Sequence, residues 1–352
     1  MTRTQQLKPL SSIAIAVGAG IAASLAAGLV VFMPAHAADA CFSTEALAAK
    51  PDERTPVKGI HTFDAPPAER QLAAFAPVPQ NLRGAIRRVK LPAGKKLIAL
   101  TFDLCEQPGE VAGYDGAIFD YLRSQNVKAT LFTGGKWMRS HAGRMQQLMT
   151  DPLFEIANHS EAHRNLRLLD GAALSAEIIG PERAYEGARD TLSGTQCVAR
   201  NPDLLKRIPQ RIGLFRFPFG ACNAASLNAV NDAGLLAIQW DLSTGDPSPG
   251  QTADAIAKAM LNAKPGSILI SHANGRGHHT AEALPLAIPQ LKARGFEFVT
   301  VSELLASGTP DIVDTCYDVH PGDSDKYDKL FPLKKPEANV PPAPHDVPAV
   351  PH

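Results

Sequence analysis

Short apolar runs recur along the middle of the chain, each closed by a turn residue or an ionisable one. From about Lys96 to Leu305 they read KLIALTFD, KATLFTGG, FEIANHS, GLFRFPFG, LLAIQWD, GSILISHA and FEFVTVS. Segments with helical spacing lie between them: GYDGAIFDYLRSQ, ALSAEIIGPERAYEGARDTL, TADAIAKAML and TAEALPLAIPQLKARG. Strands alternating with amphipathic helices predict parallel βα units with the helices outside. About seven such units are present, close to the eight of a closed barrel. The expected fold is therefore α/β, a distorted (β/α) barrel with about seven parallel strands. A doubly wound open sheet is the competing architecture, and both put function at the carboxyl ends of the strands.

The two ends of the chain break this rhythm. Arg3 and Lys8 precede a long apolar run from Ile13 to Met33, followed by PAHAADA. That order predicts an export signal over 1–37, cut after Ala37, with an uncleaved membrane anchor as the rival. Residues 38–92, rich in Ala and Pro, read as an extended lead-in to a barrel over 93–308. A further segment, 309–330, is expected to be tied back to the barrel, and 331–352 is Pro-rich enough to read as a flexible tail.

Thirty-five basic residues balance thirty-five acidic ones, which argues against nucleic acid as a partner. Five cysteines suit an oxidising, periplasmic or extracellular space, where disulfides persist. An odd number leaves at least one thiol unpaired or paired with another molecule. The expected bridges are Cys41 with Cys316, tying the ends of the mature chain, and Cys105 with Cys222, leaving Cys197.

Ionisable residues gather at the ends of the runs. TFD supplies Asp103, NHSEAH supplies His159 and His163, and FRFPFG supplies Arg216. QWDLSTGD supplies Asp241 and Asp246, and ILISH supplies His272. Each alone has an ordinary explanation, such as a turn acid or a core histidine. Their shared position at successive strand ends does not. His159 and His163, spaced i, i+4, would lie on one face of a helical turn, which suits two ligands of one zinc-like ion.

In this order, TFD, HSEAH, RFPFG, QWDLSTGD and ISH resemble the five motifs of the polysaccharide deacetylase family, whose NodB-like, carbohydrate esterase fold is a distorted (β/α) barrel. The likeness runs from about Lys96 to Leu305. It implies hydrolysis of an acetyl group, N-acetyl before O-acetyl, from an extracytoplasmic polysaccharide or cell-wall glycan. His159 and His163 would then bind a divalent metal, usually zinc. Asp103 matches the catalytic base and Arg216 the residue that holds it. His272 matches the general acid, and Asp246 the acid that orients it. An oxyanion donor is expected from the Phe219-Gly220 turn.

The chain departs from the family pattern in ways that bear on the site. The first motif usually has two consecutive acids, the second being a metal ligand, and here that position is Leu104. Asp103 could bind the ion itself, Glu106 could reach back to supply the oxygen, or water could complete a two-histidine site. Glu106 reads equally well as a solvated loop acid. Pro247 follows Asp246 where the family often has a Trp. His278 and His279 could line the groove or belong to a polar loop. Two other functions share the scaffold: a glycan-binding protein without catalysis, and a metal amidase acting on a non-sugar substrate.

Overall fold

The computed structural model describes residues 41–72 and 75–332; the expected export signal and residues 333–352 of the Pro-rich tail lie outside them. Among the described residues no helix is long and apolar enough to cross a membrane.

Ten strands form one curled sheet. They are β1 (Ala85–Lys90), β2 (Leu97–Leu104), β3 (Ala129–Thr133), β4 (Phe154–Asn158), β5 (Leu214–Phe215), β6 (Leu236–Ile238), β7 (Leu242–Ser243), β8 (Ile268–His272), β9 (Glu297–Val299) and β10 (Thr309–Val313). The order β10-β1-β6-β5-β4-β3-β2-β8-β7 is parallel except for the β10–β1 edge, and β9 also pairs in parallel with β2. The ends of this sheet meet. β6 and β7 are nearly one strand, and the Asp241 N–H between them donates to the Ile268 carbonyl of β8. Val89 of β1 donates to the Gly266 carbonyl. The result is the distorted (β/α) barrel with mostly parallel strands.

Outside it pack α1 (Gly116–Ser124), α2 (Gly135–Ser140), α3 (Ala142–Thr150), α4 (Gly171–Ser193), α5 (Ala224–Asp232), α6 (Ala253–Met260) and α7 (Thr280–Ala293). Alternation in β2 sorts its side chains between two environments. Ile98, Leu100, Phe102 and Leu104 face a large apolar cluster shared with Ile118, Phe119, Leu122, Leu284 and Ile288 of α1 and α7. Ala99 instead packs with the barrel interior, alongside Phe132, Ile238 and Ile270. Thr101 and Asp103 share its face, so the polar end of β2 is aimed inward.

Three expectations are corrected. The sheet takes in Ala85–Lys90, assigned above to the lead-in. Its Arg87-Arg88 pair hid the strand, because Arg87 is buried and donates to the Tyr317 and Asp318 carbonyls while stacking on the Tyr317 ring. The bridges are Cys41–Cys197 and Cys222–Cys316, not Cys41–Cys316 and Cys105–Cys222. Cys105 is the free, buried thiol. Spacing carries no information on which sulfurs meet, since folding brings together cysteines 156 and 94 positions apart.

Cys222–Cys316 anchors the segment after β10, which folds back beside the strand ends. Arg167 pairs with Asp325 and Asp328 of this segment, and Trp240 Nε1 donates to Asp318 Oδ1 at 3.0 Å. Peptide mapping of unreduced protein should recover Cys41–Cys197 and Cys222–Cys316, with one titratable thiol per denatured chain. Replacing Cys222 and Cys316 together by Ser should cost about 2–4 kcal/mol in denaturant unfolding.

Candidate functional site

Asp103 is the last residue but one of β2, His159 follows β4, Arg216 follows β5, Asp246 follows β7 and His272 ends β8. Because these strands run in parallel, their carboxyl ends open at one mouth. Asp103 and His272 are direct partners in the β2–β8 register.

Two ion pairs organise the mouth. Arg216, fully buried, spans the interior: its Nη1 donates to Asp103 Oδ1 and to Thr101 Oγ1, both at 2.8 Å. Its guanidinium also lies 3.8 Å over the Phe132 ring. Burial alone would raise the Asp103 pKa, but the positive charge beside it, permanent on Arg216, holds the carboxyl below its usual range. On the other side His272 Nδ1 donates to Asp246 Oδ1 at 2.9 Å. Asp246 Oδ2 accepts from the His272 N–H and the Thr280 hydroxyl, both at 2.7 Å. Burial works against the imidazolium, yet Asp246 outweighs it and raises the His272 pKa. One carboxylate is kept as a base, and one imidazole is kept as an acid.

The histidine pair lies beside Asp103. His159 Nδ1 donates to the Arg216 carbonyl at 2.9 Å, which leaves the Nε2 lone pair 3.2 Å from Asp103 Oδ2. His163 stands beside it, ring centroids 4.9 Å apart. The two residues do not share a helical turn, contrary to expectation. They sit in a loop bent by left-handed backbone at Ser160 (φ 66°) and His163 (φ 52°), neither of them glycine. Such conformations cost of order 1–3 kcal/mol each and persist where the surroundings impose them. Here Asn158 Oδ1 accepts from the Ser160 N–H, the Ser160 hydroxyl accepts from the His163 N–H, and the Phe219 ring packs on His163 at 4.5 Å. Burial depresses the pKa of both imidazoles, keeping them neutral. His159 Nε2 and His163 Nδ1 are both buried without a hydrogen-bond partner. Neutral, orphaned ring nitrogens converging on one point fit a divalent metal.

Glu106 is not brought to this pair. Its Oε2 accepts from the Ala112 N–H (3.0 Å) and the Ser140 hydroxyl (2.7 Å), and its Oε1 lies 3.8 Å from Lys136 Nζ. Alternation explains this, since positions 103, 105 and 107 line the cavity and 106 points away from it. Asp241 is also elsewhere, accepting from Ser267 and Ile268 where the barrel closes. His278 and His279 do not line the cavity.

That cavity, of about 380 Å³, is bounded by Asp103, Cys105, His163, Asp246, His272 and a set of aromatic rings. The volume is enough for a small ligand or a sugar unit. A larger cavity of about 480 Å³ near Met149 and Arg207 holds none of the strand-end groups, so size alone does not mark the site. Sequence reading missed its aromatic wall. Phe219 stacks on Tyr327 (5.0 Å) and Phe331 (4.5 Å), with Trp240 beyond. Tyr327 and Phe331 lie in the segment after β10, and neither carries a local signal of its role. Gly220 (φ 60°) is required there, since a Cβ would come within 3.0 Å of the Trp240 ring.

The polysaccharide deacetylase family model matches residues 90–238, which span β2 to β6 and include Asp103, both histidines and Arg216. The chain carries a polysaccharide deacetylase domain. It is similar to a peptidoglycan-N-acetylglucosamine deacetylase of Bacillus cereus, 28% identical over 61% of this chain and 91% of that protein. It is likewise similar to a chitooligosaccharide deacetylase of Azorhizobium caulinodans, 26% identical over 59% of this chain and 93% of the relative. Among solved structures, a peptidoglycan N-acetylglucosamine deacetylase superposes with a TM-score of 0.52 at 25% identity, covering 65% of this chain and 96% of its own. At family level the chain thus groups with glycan deacetylases.

Arg216→Met should destabilise the polysaccharide deacetylase domain by about 3–5 kcal/mol, because Asp103 would stay buried without its counter-charge. Adding Asp103→Asn should recover much of that loss in denaturant titrations. The His272–Asp246 pair should contribute stability fully below the ordinary histidine value of 6.5 and lose it as pH rises through the higher folded value. The stability gap between wild type and Asp246→Asn should therefore be widest below about pH 6.5 and narrow on the alkaline side.

Proposed function

We propose that the protein is a metal-dependent hydrolase that removes N-acetyl groups from sugars of an extracytoplasmic glycan. One observation carries this reading. At a single cavity an arginine-held carboxylate meets a carboxylate-held imidazolium, with two buried histidine nitrogens that make no hydrogen bond beside the carboxylate.

An acetamide is a poor electrophile, and water is a poor nucleophile at neutral pH. A divalent cation held by His159 and His163, zinc by the character of its ligands, would polarise the acetyl carbonyl and make water more acidic. The protein's own groups handle the protons. Asp103, kept ionised by Arg216, accepts the proton of the attacking water. The developing oxyanion needs a fixed donor. Gly220 N–H already donates to the Phe217 carbonyl, so Phe219, whose residue lines the cavity, is the better placed of the two turn residues. His272, held by Asp246, gives its proton to the nitrogen, which leaves as a neutral amine while acetate remains. The aromatic wall of Phe219, Tyr327 and Phe331 gives the apolar face of a sugar ring a surface to lie on.

The two disulfides support export, since such bonds persist in oxidising compartments. Leu104, buried in the core where the motif resemblance leads to an expected acid, is the feature that favours a binding protein over an enzyme. Acetate release from N-acetylglucosamine oligomers by metal-loaded protein decides between them. Activity should fall at least about 100-fold in Asp103→Asn, which keeps an acceptor for Arg216, and in His272→Ala, with folding retained. Tyr327→Ala with Phe331→Ala should raise KM about tenfold, equivalent to ~1.4 kcal/mol, with less change in kcat. No acetate from any N-acetylated oligomer overturns the enzymatic reading.

A further inference from the structure

Leu104 leaves a metal site two histidines strong, and the geometry points to the Cys105 thiolate as its third protein ligand. This rests on the metal-dependent reading above and goes beyond it, because it names a sulfur donor where the family pattern has a carboxylate.

Strand alternation turns Leu104 into the apolar layer under α1 and α7 and returns Cys105 to the face of Asp103. Cys105 is buried, takes no part in either disulfide, and lines the same cavity as His163 and Asp103. Among the described residues, the ligand atoms of Cys105, His159 and His163 form a group lying within 4.8 Å of one another. Tetrahedral zinc, with Zn–S about 2.3 Å and Zn–N about 2.0 Å, wants sulfur and nitrogen roughly 3.5 Å apart.

The second observation is independent of the cysteine. His159 Nε2, on a residue 1% exposed, makes no hydrogen bond and lies 3.2 Å from Asp103 Oδ2, and the buried His163 Nδ1 makes none either. A buried nitrogen whose tautomer is set by a carbonyl behind it is the usual arrangement of a metal-binding histidine. The sulfur is prepared in a comparable way. Asn274 Nδ2 donates to Cys105 Sγ at 3.3 Å and to the Cys105 carbonyl at 2.8 Å, fixing the residue's orientation. Burial pushes the pKa of the thiol up, and the positive charge of Arg276, held nearby by Glu110, opposes this in part. On binding, the S–H proton passes to solvent and the freed electron pair forms the S–metal bond, with no change in oxidation state. A Cys-His-His set selects softer borderline ions such as zinc over magnesium, calcium or manganese.

The full-length exported protein, freed of metal and reloaded with cobalt(II), tests this directly. Wild type should bind one cobalt and show near-ultraviolet thiolate-to-cobalt charge-transfer absorption. Cys105→Ala should lose that band and bind metal more than about tenfold more weakly. Cys105→Asp should lose the band, retain an ion, and tolerate manganese better relative to zinc. Should Cys105→Ala fail to fold, the wild-type spectrum alone decides. One tightly bound cobalt without a thiolate band overturns the cysteine ligand and leaves the metal-dependent reading standing. No stoichiometric cobalt in wild type, or binding that survives His163→Ala unchanged, overturns both.

Discussion

The buried Arg216–Asp103 pair is the constraint around which the rest of the molecule is arranged. Two charges removed from water cost several kcal/mol each unless their remaining donors and acceptors are met. Here they are met by strands on different sides of the barrel: the Thr101 hydroxyl on β2, the Ile238 and Gln239 carbonyls at the end of β6, and the Phe132 face on β3. The pair therefore exists only if the barrel closes in this register. The Arg216 carbonyl also accepts from His159, so the same residue sets the tautomer of a candidate metal ligand. Charge, ring orientation and strand order are thereby coupled through one side chain.

Two aspartates in one cavity are put to opposite uses by their partners. Asp103 lies against a cation that cannot give up its proton, and so remains a base. Asp246 lies against a group that can, and so keeps a proton available on His272. Around them the protein accepts backbone strain at Ser160 and His163, imposed by hydrogen bonds from a loop that tertiary packing holds in place. Stored strain next to unsatisfied nitrogens is what a ligand-binding site rather than a packing site requires.

The segment after β10 completes the mouth. With two Trp and five Tyr in the chain, aromatic surface for a sugar is scarce. It is gathered by bringing Tyr327 and Phe331 back beside Phe219, held by Cys222–Cys316 and by Arg167 on Asp325 and Asp328. Two of the three stacked rings, Tyr327 and Phe331, thus come from outside the family motifs, as does the thiol that stands two positions beyond Asp103.

Much was legible in the sequence because it is encoded locally. The apolar runs mark β2, β3, β4 and β8 since a strand buried on both faces admits little else. The ionisable residue closing each run is visible because parallel strands present their ends at one mouth. β1 was hidden by two arginines whose partners, Tyr317, Asp318 and Pro265, come from distant chain. What the chain alone determined is the kind of site: carboxylates, imidazoles and a guanidinium at the carboxyl ends of a (β/α) barrel. Tertiary structure decided which of them meet. It sent Glu106 outward and Cys105 inward, paired Cys41 with Cys197 and Cys222 with Cys316, and folded an aromatic wall over the mouth. The physical reason is that side-chain direction and long-range proximity depend on how the sheet curls and closes, and no local stretch of residues carries that information.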